Sequence, residues 1–263
     1  YHLTKTFWLV CWTFLDFVSQ THDRIKPYLL VIQPMPRAKS QATPLQPQTT
    51  PKILAFANQK GGSGKSTGAV HAADWFTRRG YSTILVDADG QQSSSSWLKE
   101  LDLPCKIISD PEILFDQLNS LTESYDIVIV DGPGNASEVT KAMLIRANLV
   151  LIPCRDSMID LASTGKIVQF VRQAREIRGG LPVAAIYLNA VKDNTVLLRE
   201  AREALQDGFL PLLGTALPDR QCIKDAPGQG STVFRMKGAT AKTAAESYTQ
   251  LLTEALKLFE EKL

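Results

Sequence analysis

ILAFANQKGGSGKST, from Ile53 to Thr67, is the stretch on which the reading of this chain turns. Ile53 to Ala57 is a short apolar run and reads as a buried strand. A glycine-rich turn follows, and a helical pattern begins at Ser66. Strand, glycine-rich turn and helix start together form the setting in which a Gly-Lys-Ser/Thr motif binds nucleotide phosphates. Gly61, Gly62 and Gly64 lack a β-carbon, so their backbone N–H groups can curl around phosphate oxygens. The helix start adds unpaired N–H groups and the positive end of the helix dipole. Gly61, Gly62, Ser63, Gly64, Lys65, Ser66 and Thr67 are therefore the candidate phosphate cradle. Lys65 is expected at the β- and γ-phosphates and the Ser66 hydroxyl on Mg²⁺.

Around this motif the composition is that of an ordinary folded protein. The 263 residues are 44% hydrophobic and 21% charged, enough chain for one well-buried core. Twenty-nine Lys+Arg stand against 27 Asp+Glu, a net charge of +2. That balance does not advertise a nucleic-acid partner, so any DNA contact has to come from a local patch. The cysteines, at 11, 105, 154 and 222, have no metal-binding spacing and read as reduced cytosolic thiols. No histidine follows His71, which removes most histidine chemistry from the later chain.

Residues 1–51 differ from the rest. Phe7 to Val18 is apolar but is interrupted by Asp16 and is too short to span a bilayer. Gln33 to Pro51 carries five prolines among Gln, Ser and Thr, the composition of a disordered linker. The first methionine is Met35, so residues 1–34 read as translated upstream sequence before the biological start. The competing reading is a genuine membrane or partner anchor.

Downstream, strand and helix patterns alternate. Helical spacing covers Ser66 to Arg79, with Gly80 as its stop. A strand from Thr83 to Val86 delivers Asp87 and Asp89 at its carboxyl end, the edge where ligands sit in open α/β sheets. Two carboxylates at that edge can serve Mg²⁺ and an attacking water. Tyr125 to Val130 is a second hydrophobic strand, closed by Asp131 and then Gly-Pro-Gly-Asn; downstream of a phosphate loop, that aspartate reads as a Mg²⁺ carboxylate. Gly132 and Gly134 would let the backbone approach the γ-phosphate and move when it leaves. Further strands are expected at Leu149 to Ile152, Val183 to Leu188 and Leu210 to Thr215. Helices are expected at Glu138 to Ala147, Ser157 to Arg178, Thr195 to Gln206 and Thr243 to Lys262. Residues 52–263 thus read as one doubly wound α/β domain with a mostly parallel sheet.

The phosphate motif has Gln59 where the common form has glycine, and a second lysine, Lys60, beside it. This K-G-G-x-G-K-S box resembles the deviant Walker A motif of ParA/MinD-type P-loop ATPases. Asp87 to Gln91 resembles the D-x-D-P-Q box of the same family, with Gly90 in place of proline. The Asp-Gly-Pro-Gly at Asp131 is similar to that of the short, ParF-like plasmid partition branch. The resemblance implies an ATP-dependent homodimer in which Lys60 reaches the partner's nucleotide, and it gives Asp89 the hydrolytic role. It also implies Mg²⁺ and ATP as cofactors, non-specific DNA as a surface, and a ParB-like centromere-binding protein or cargo adaptor as partner. The expected function is plasmid segregation, in a cytoplasmic protein associated with the nucleoid. Another cargo, such as an organelle or conjugation complex, and a MinD-like membrane ATPase are the alternatives. The mixed charges of the C-terminal LLTEALKLFEEKL favour a packing helix over stable membrane association. Asn189, at a strand end, is either an adenine ligand, as its counterpart region is in relatives, or a turn former. For DNA, Lys224, Arg235, Lys237 and Lys242 are the first candidates and Arg172, Arg175 and Arg178 the second. A plain solvated face is the alternative for both sets.

Overall fold

The computed structural model describes residues 50–135 and 137–263. The expectations for residues 1–49, including a start at Met35, lie outside the described residues. Seven strands form one sheet: β1 (Ile53–Phe56), β2 (Thr83–Asp87), β3 (Cys105–Ile107), β4 (Ile127–Asp131), β5 (Leu149–Cys154), β6 (Val183–Val191) and β7 (Leu217–Pro218). Their order is β3-β2-β4-β1-β5-β6-β7 and every pairing is parallel. Parallel strands need crossovers on the sheet faces, so the central strands are covered on both sides and read as continuous apolar runs. All four residues of β1 and all five of β4 are buried.

Alternate residues of each strand point to opposite faces, and two cores result. Leu54, Phe56, Leu85, Ile129 and Leu151 pack with helices α1 (Lys65–Arg78), α2 (Ser93–Leu101) and α8 (Ala239–Glu261). Ile53, Ala55, Val86, Val130 and Ile152 pack with α3 (Pro111–Ser124), α4 (Glu138–Arg146) and α5 (Met158–Arg178). Helices α6 (Val196–Gln206) and α7 (Gln221–Asp225) complete the described set. The C-terminal helix buries Tyr248, Leu251, Leu252, Ala255 and Phe259, so it packs on the core as its sequence suggests. Among the described residues no helix is long and apolar enough to cross a membrane.

Two parts of the fold depart from the sequence reading. The strand expected at Leu210 to Thr215 contributes only an isolated bridge, Ile186 to Leu212. Pro211 has no N–H for a ladder, and at Gly214 the backbone N–H is taken by Glu254 Oε1 at 2.6 Å. The last strand is instead Leu217–Pro218. Helices α2 and α3 and strand β3 had no place in the reading. The Gln-Gln-Ser-Ser-Ser-Ser run looks like loop because serine favours turns and caps, yet buried Trp97, Leu98 and Leu101 anchor α2. Helix α3 carries a start signal that was there to be read: Asp110 accepts from the N–H groups of Glu112 and Ile113, with Pro111 in the first turn.

Candidate nucleotide site

The site lies where β1, β2 and β4 end. Register pairs Phe56 with Asp131 and Asp87 with Asp131, so two aspartates from different strands stand side by side below the loop that leaves β1. Asn58 fixes the root of that loop: its amide donates to the Pro153 carbonyl at 2.6 Å and its Oδ1 accepts from Lys60 N–H at 3.2 Å. Gly62 (φ 73°) and Gly64 (φ 102°) hold left-handed conformations that disfavour any side chain. At Gly64 a β-carbon would also strike the Asn189 amide nitrogen, at 2.1 Å.

Asn189 therefore has a role that neither sequence reading of it named. Its Nδ2 donates to the Ser63 carbonyl at 2.7 Å and ties the phosphate loop to the end of β6. It also lines a cavity of about 270 Å³ with Thr67, Arg155, Asp219, Arg220 and Lys224, beside Gly62 and Gly64. Lys65 starts α1 and is buried, with its ammonium folded back on the Lys60 carbonyl at 3.2 Å. Burial lowers its pKa, and the negative charges of Asp131 and Asp89 work against that shift. Those two carboxylates and Lys65 thus share one electrostatic neighbourhood.

Asp131 is fully buried, and neither carboxylate oxygen has a hydrogen-bond partner among the described residues. Burial pushes its pKa up to about 7, against the pull of the nearby Ser66 and Ser94 hydroxyls. An orphaned buried carboxylate beside a phosphate loop is the environment that a divalent cation relieves. Asp87 is engaged differently. Its Oδ1 accepts from Asp89 N–H at 3.1 Å and its Oδ2 from Ser95 N–H at 2.8 Å. Asp89 is half-buried and accepts from Gln91 N–H at 3.1 Å.

The loop after Asp131 approaches the cradle as its glycines suggest. A β-carbon on Gly134 would stand 3.8 Å from both Gly61 Cα and Lys65 Nζ. At Gly132 it would meet the Phe56 carbonyl at 2.7 Å and the Met143 side chain at 2.8 Å. Lys60 points to a residue that sequence reasoning missed, Asp160 in the first turn of α5, at 2.9 Å. Burial alone would raise the Asp160 pKa, but the Ser157 hydroxyl and Lys60 outweigh it and hold the carboxyl below the usual range. The Ser157-x-x-Asp160 pattern announces a helix start, and nothing in it announces Lys60.

The basic candidates divide. Arg235 is engaged within the fold: its guanidinium binds Asp74 at 2.8 and 3.0 Å and the Leu101 carbonyl at 2.9 Å. Those bonds tie Arg235 to α1 and α2, although the residue remains exposed. Lys224 pairs with Asp219 at 2.5 Å beside the cavity. In the second row, Arg175 donates to the Pro182 carbonyl at 2.8 Å and Arg178 to that of Ala147. Arg172 and Arg175 also lie over the Phe209 ring. Lys237 and Lys242 are exposed, and neither has an acidic partner among the described residues.

Comparison with known proteins places this geometry. Residues 54–233 match the family model described as the CobQ/CobB/MinD/ParA nucleotide binding domain. The maintenance of carboxysome distribution protein A of Halothiobacillus neapolitanus is 30% identical over 209 residues, covering 77% of this chain and 95% of that protein. The chromosome-partitioning ATPase Soj of Thermus thermophilus is 24% identical, covering 79% of this chain and 96% of its own. Among solved structures, the septum site-determining protein MinD of Pyrococcus horikoshii, complexed with Mg-ADP, superposes with a TM-score of 0.63 at 18% identity. That match covers 81% of this chain and 98% of the MinD chain.

Proposed function

The chain belongs to the CobQ/CobB/MinD/ParA nucleotide-binding family and is an ATPase of it, and from that premise we propose that it positions a cargo by ATP-dependent dimerisation and DNA binding. The observation that carries this reading is the convergence of a glycine-rich phosphate loop, buried Lys65 and the orphaned Asp131 carboxylate at one sheet edge. In this reading Gly61 to Thr67 and Lys65 hold the phosphates, and Ser66 and Asp131 hold Mg²⁺, with Asp87 behind them. Magnesium, when bound, neutralises phosphate oxygens as charge builds on them. Asp89 orients the attacking water, and the loop from Gly132 to Gly134 relaxes once the γ-phosphate has left. Lys60 serves the partner's nucleotide in a homodimer. An adaptor of the centromere-binding kind stimulates turnover and carries the cargo.

Plasmid DNA is the first cargo in this reading. A protein compartment is the second, favoured by the carboxysome-distribution relative, which this chain matches over nearly its full length. One monomer is nearly neutral overall, so pairing two around ATP doubles a small basic patch against one duplex. Two measurements test the proposal. Calorimetry should find no nucleotide binding by Lys65→Ala, because that ammonium is the charge at the β/γ-phosphates; near-normal affinity would refute the phosphate assignment. Random duplex should be retained with ATP but not with ADP or without nucleotide, and retention should fall steeply with salt through counterion release. Equal retention in all three states, or none at low salt, leaves a nucleotide switch without a DNA surface.

A further inference from the structure

Helix α2 begins without a cap of its own. Gln92 at its N-cap is left-handed (φ 53°) and makes no side-chain capping bond. The missing cap comes from the neighbouring strand, where Asp87 Oδ2 accepts from Ser95 N–H at 2.8 Å. Asp87 is the register partner of Asp131 on β4, so this bond fixes the first turn of α2 at the carboxyl end of β2, the strand next to β4. The residue that it brings there is Ser94. Ser94 is fully buried and its hydroxyl has no aligned partner among the described residues. The Asp131 carboxylate, whose pKa the Ser94 hydroxyl pulls down, is also fully buried and also without an aligned partner among the described residues. A buried donor and a buried acceptor that stand near each other without an aligned bond are unusual in a folded core.

We infer that Ser94 is a positioning residue of the magnesium site: its hydroxyl holds one oxygen of Asp131 and leaves the other to the metal. The inference rests on the magnesium–nucleotide reading above. It gives Asp87 a task distinct from direct metal ligation. Through Ser95 N–H it docks α2, and α2 presents Ser94 to Asp131. The arrangement is the outer-shell support that orients a metal-binding carboxylate.

The test is a Mg²⁺ titration of ADP binding, read by calorimetry on the full chain. Ser94→Ala should raise the Mg²⁺ concentration for half-maximal binding by about tenfold, the lower end for losing an outer-shell partner. Its ADP affinity in EDTA and its thermal midpoint should match the wild type. Ser94→Thr, which keeps the hydroxyl, should recover most of the Mg²⁺ dependence, and Ser96→Ala, on the exposed side of the same turn, should not alter it. An unchanged Mg²⁺ dependence in Ser94→Ala overturns the inference. So does an ADP affinity lost equally with Mg²⁺ and in EDTA, which marks a purely structural serine. A wild type whose ADP binding ignores Mg²⁺ defeats the metal assignment of Asp131 itself, and the inference with it.

Discussion

Lys60 Nζ lies 2.9 Å from Asp160 Oδ2, and the Asp160 side chain is only 4% exposed. The lysine that the family resemblance assigns to a partner's nucleotide is thus held inside its own subunit. Releasing it means separating this pair, so the pair opposes dimerisation. Lys60 remains 38% exposed, and solvent screening keeps the opposition small. A homodimer separates two such pairs, so Asp160→Asn should strengthen ATP-dependent dimerisation by roughly three- to thirtyfold, at about 0.3–1 kcal/mol per pair. Sedimentation velocity with ATP and without nucleotide reads it. Dimerisation that is unchanged or weaker would show that Lys60 is not restrained by Asp160.

Asp87 and Asp89 are two residues apart but do different work. If Asp89 orients the attacking water, as proposed, Asp89→Ala should bind ATP, dimerise and fail to turn over. Asp87→Ala should instead cost stability, since two backbone N–H groups lose their acceptor; the buried one, on Ser95, is worth about 1–3 kcal/mol and the half-exposed one, on Asp89, less. Phosphate release and thermal unfolding, measured on both variants, separate the roles. Turnover that survives in Asp89→Ala places the hydrolytic group elsewhere.

The buried histidine gives a pH dependence of known sign. His71 stacks on Tyr248 with ring centroids 4.3 Å apart, and its ring nitrogens meet the Thr67 carbonyl and the Val233 N–H. Burial lowers its pKa from 6.5 to about 4. The folded state therefore favours neutral His71, and its contribution is complete above pH 6.5. As pH falls from 6.5 towards 4 the unfolded chain takes up the proton first, and stability drops by about 1.4 kcal/mol per pH unit. Asp131, raised to about 7, acts in the opposite sense over much of the same range. The quantity to read is the difference in urea stability between wild type and His71→Gln, in which Asp131 cancels. That difference should shrink on acidification; a constant difference refutes a buried neutral imidazole.

The sequence carried the site's chemistry further than its geometry. Strands β1, β2, β4, β5 and β6 were legible because a parallel sheet buried on both faces writes continuous apolar runs. Gly61 to Thr67 and the three aspartates were legible because loop and strand end are local in sequence. The pairs that join distant segments were not. Lys60 to Asp160, Asn189 to Ser63 and Arg235 to Asp74 span 100, 126 and 161 positions, and no local pattern marks either end. Arg235 shows the consequence: other basic residues stand near it in sequence, and its partner Asp74 stands far off on α1.

That distinction decides the last prediction, which concerns where DNA would bind. If the late basic residues form a phosphate-binding patch, its members are the lysines without an acidic partner among the described residues, Lys237 and Lys242, on either side of Gly238 where α8 begins. Replacing both by alanine should weaken ATP-dependent retention of random duplex without sequence preference. It should also flatten the slope of log affinity against log salt by about 0.9 for each phosphate that is no longer neutralised. ATP affinity and thermal midpoint should stay close to wild type, because both side chains are exposed. Arg235→Ala should behave in the opposite way. It strips the fully buried Asp74 of its cation; Asp74 keeps the Thr232 hydroxyl and Arg235 is solvent-exposed, so the loss should fall below the about 3–5 kcal/mol of a wholly buried pair. Its DNA retention, corrected for folded fraction, should keep the wild-type salt slope. A double lysine variant with the wild-type slope, or an Arg235→Ala variant that is stable but flattened, would move the DNA surface away from Lys237 and Lys242.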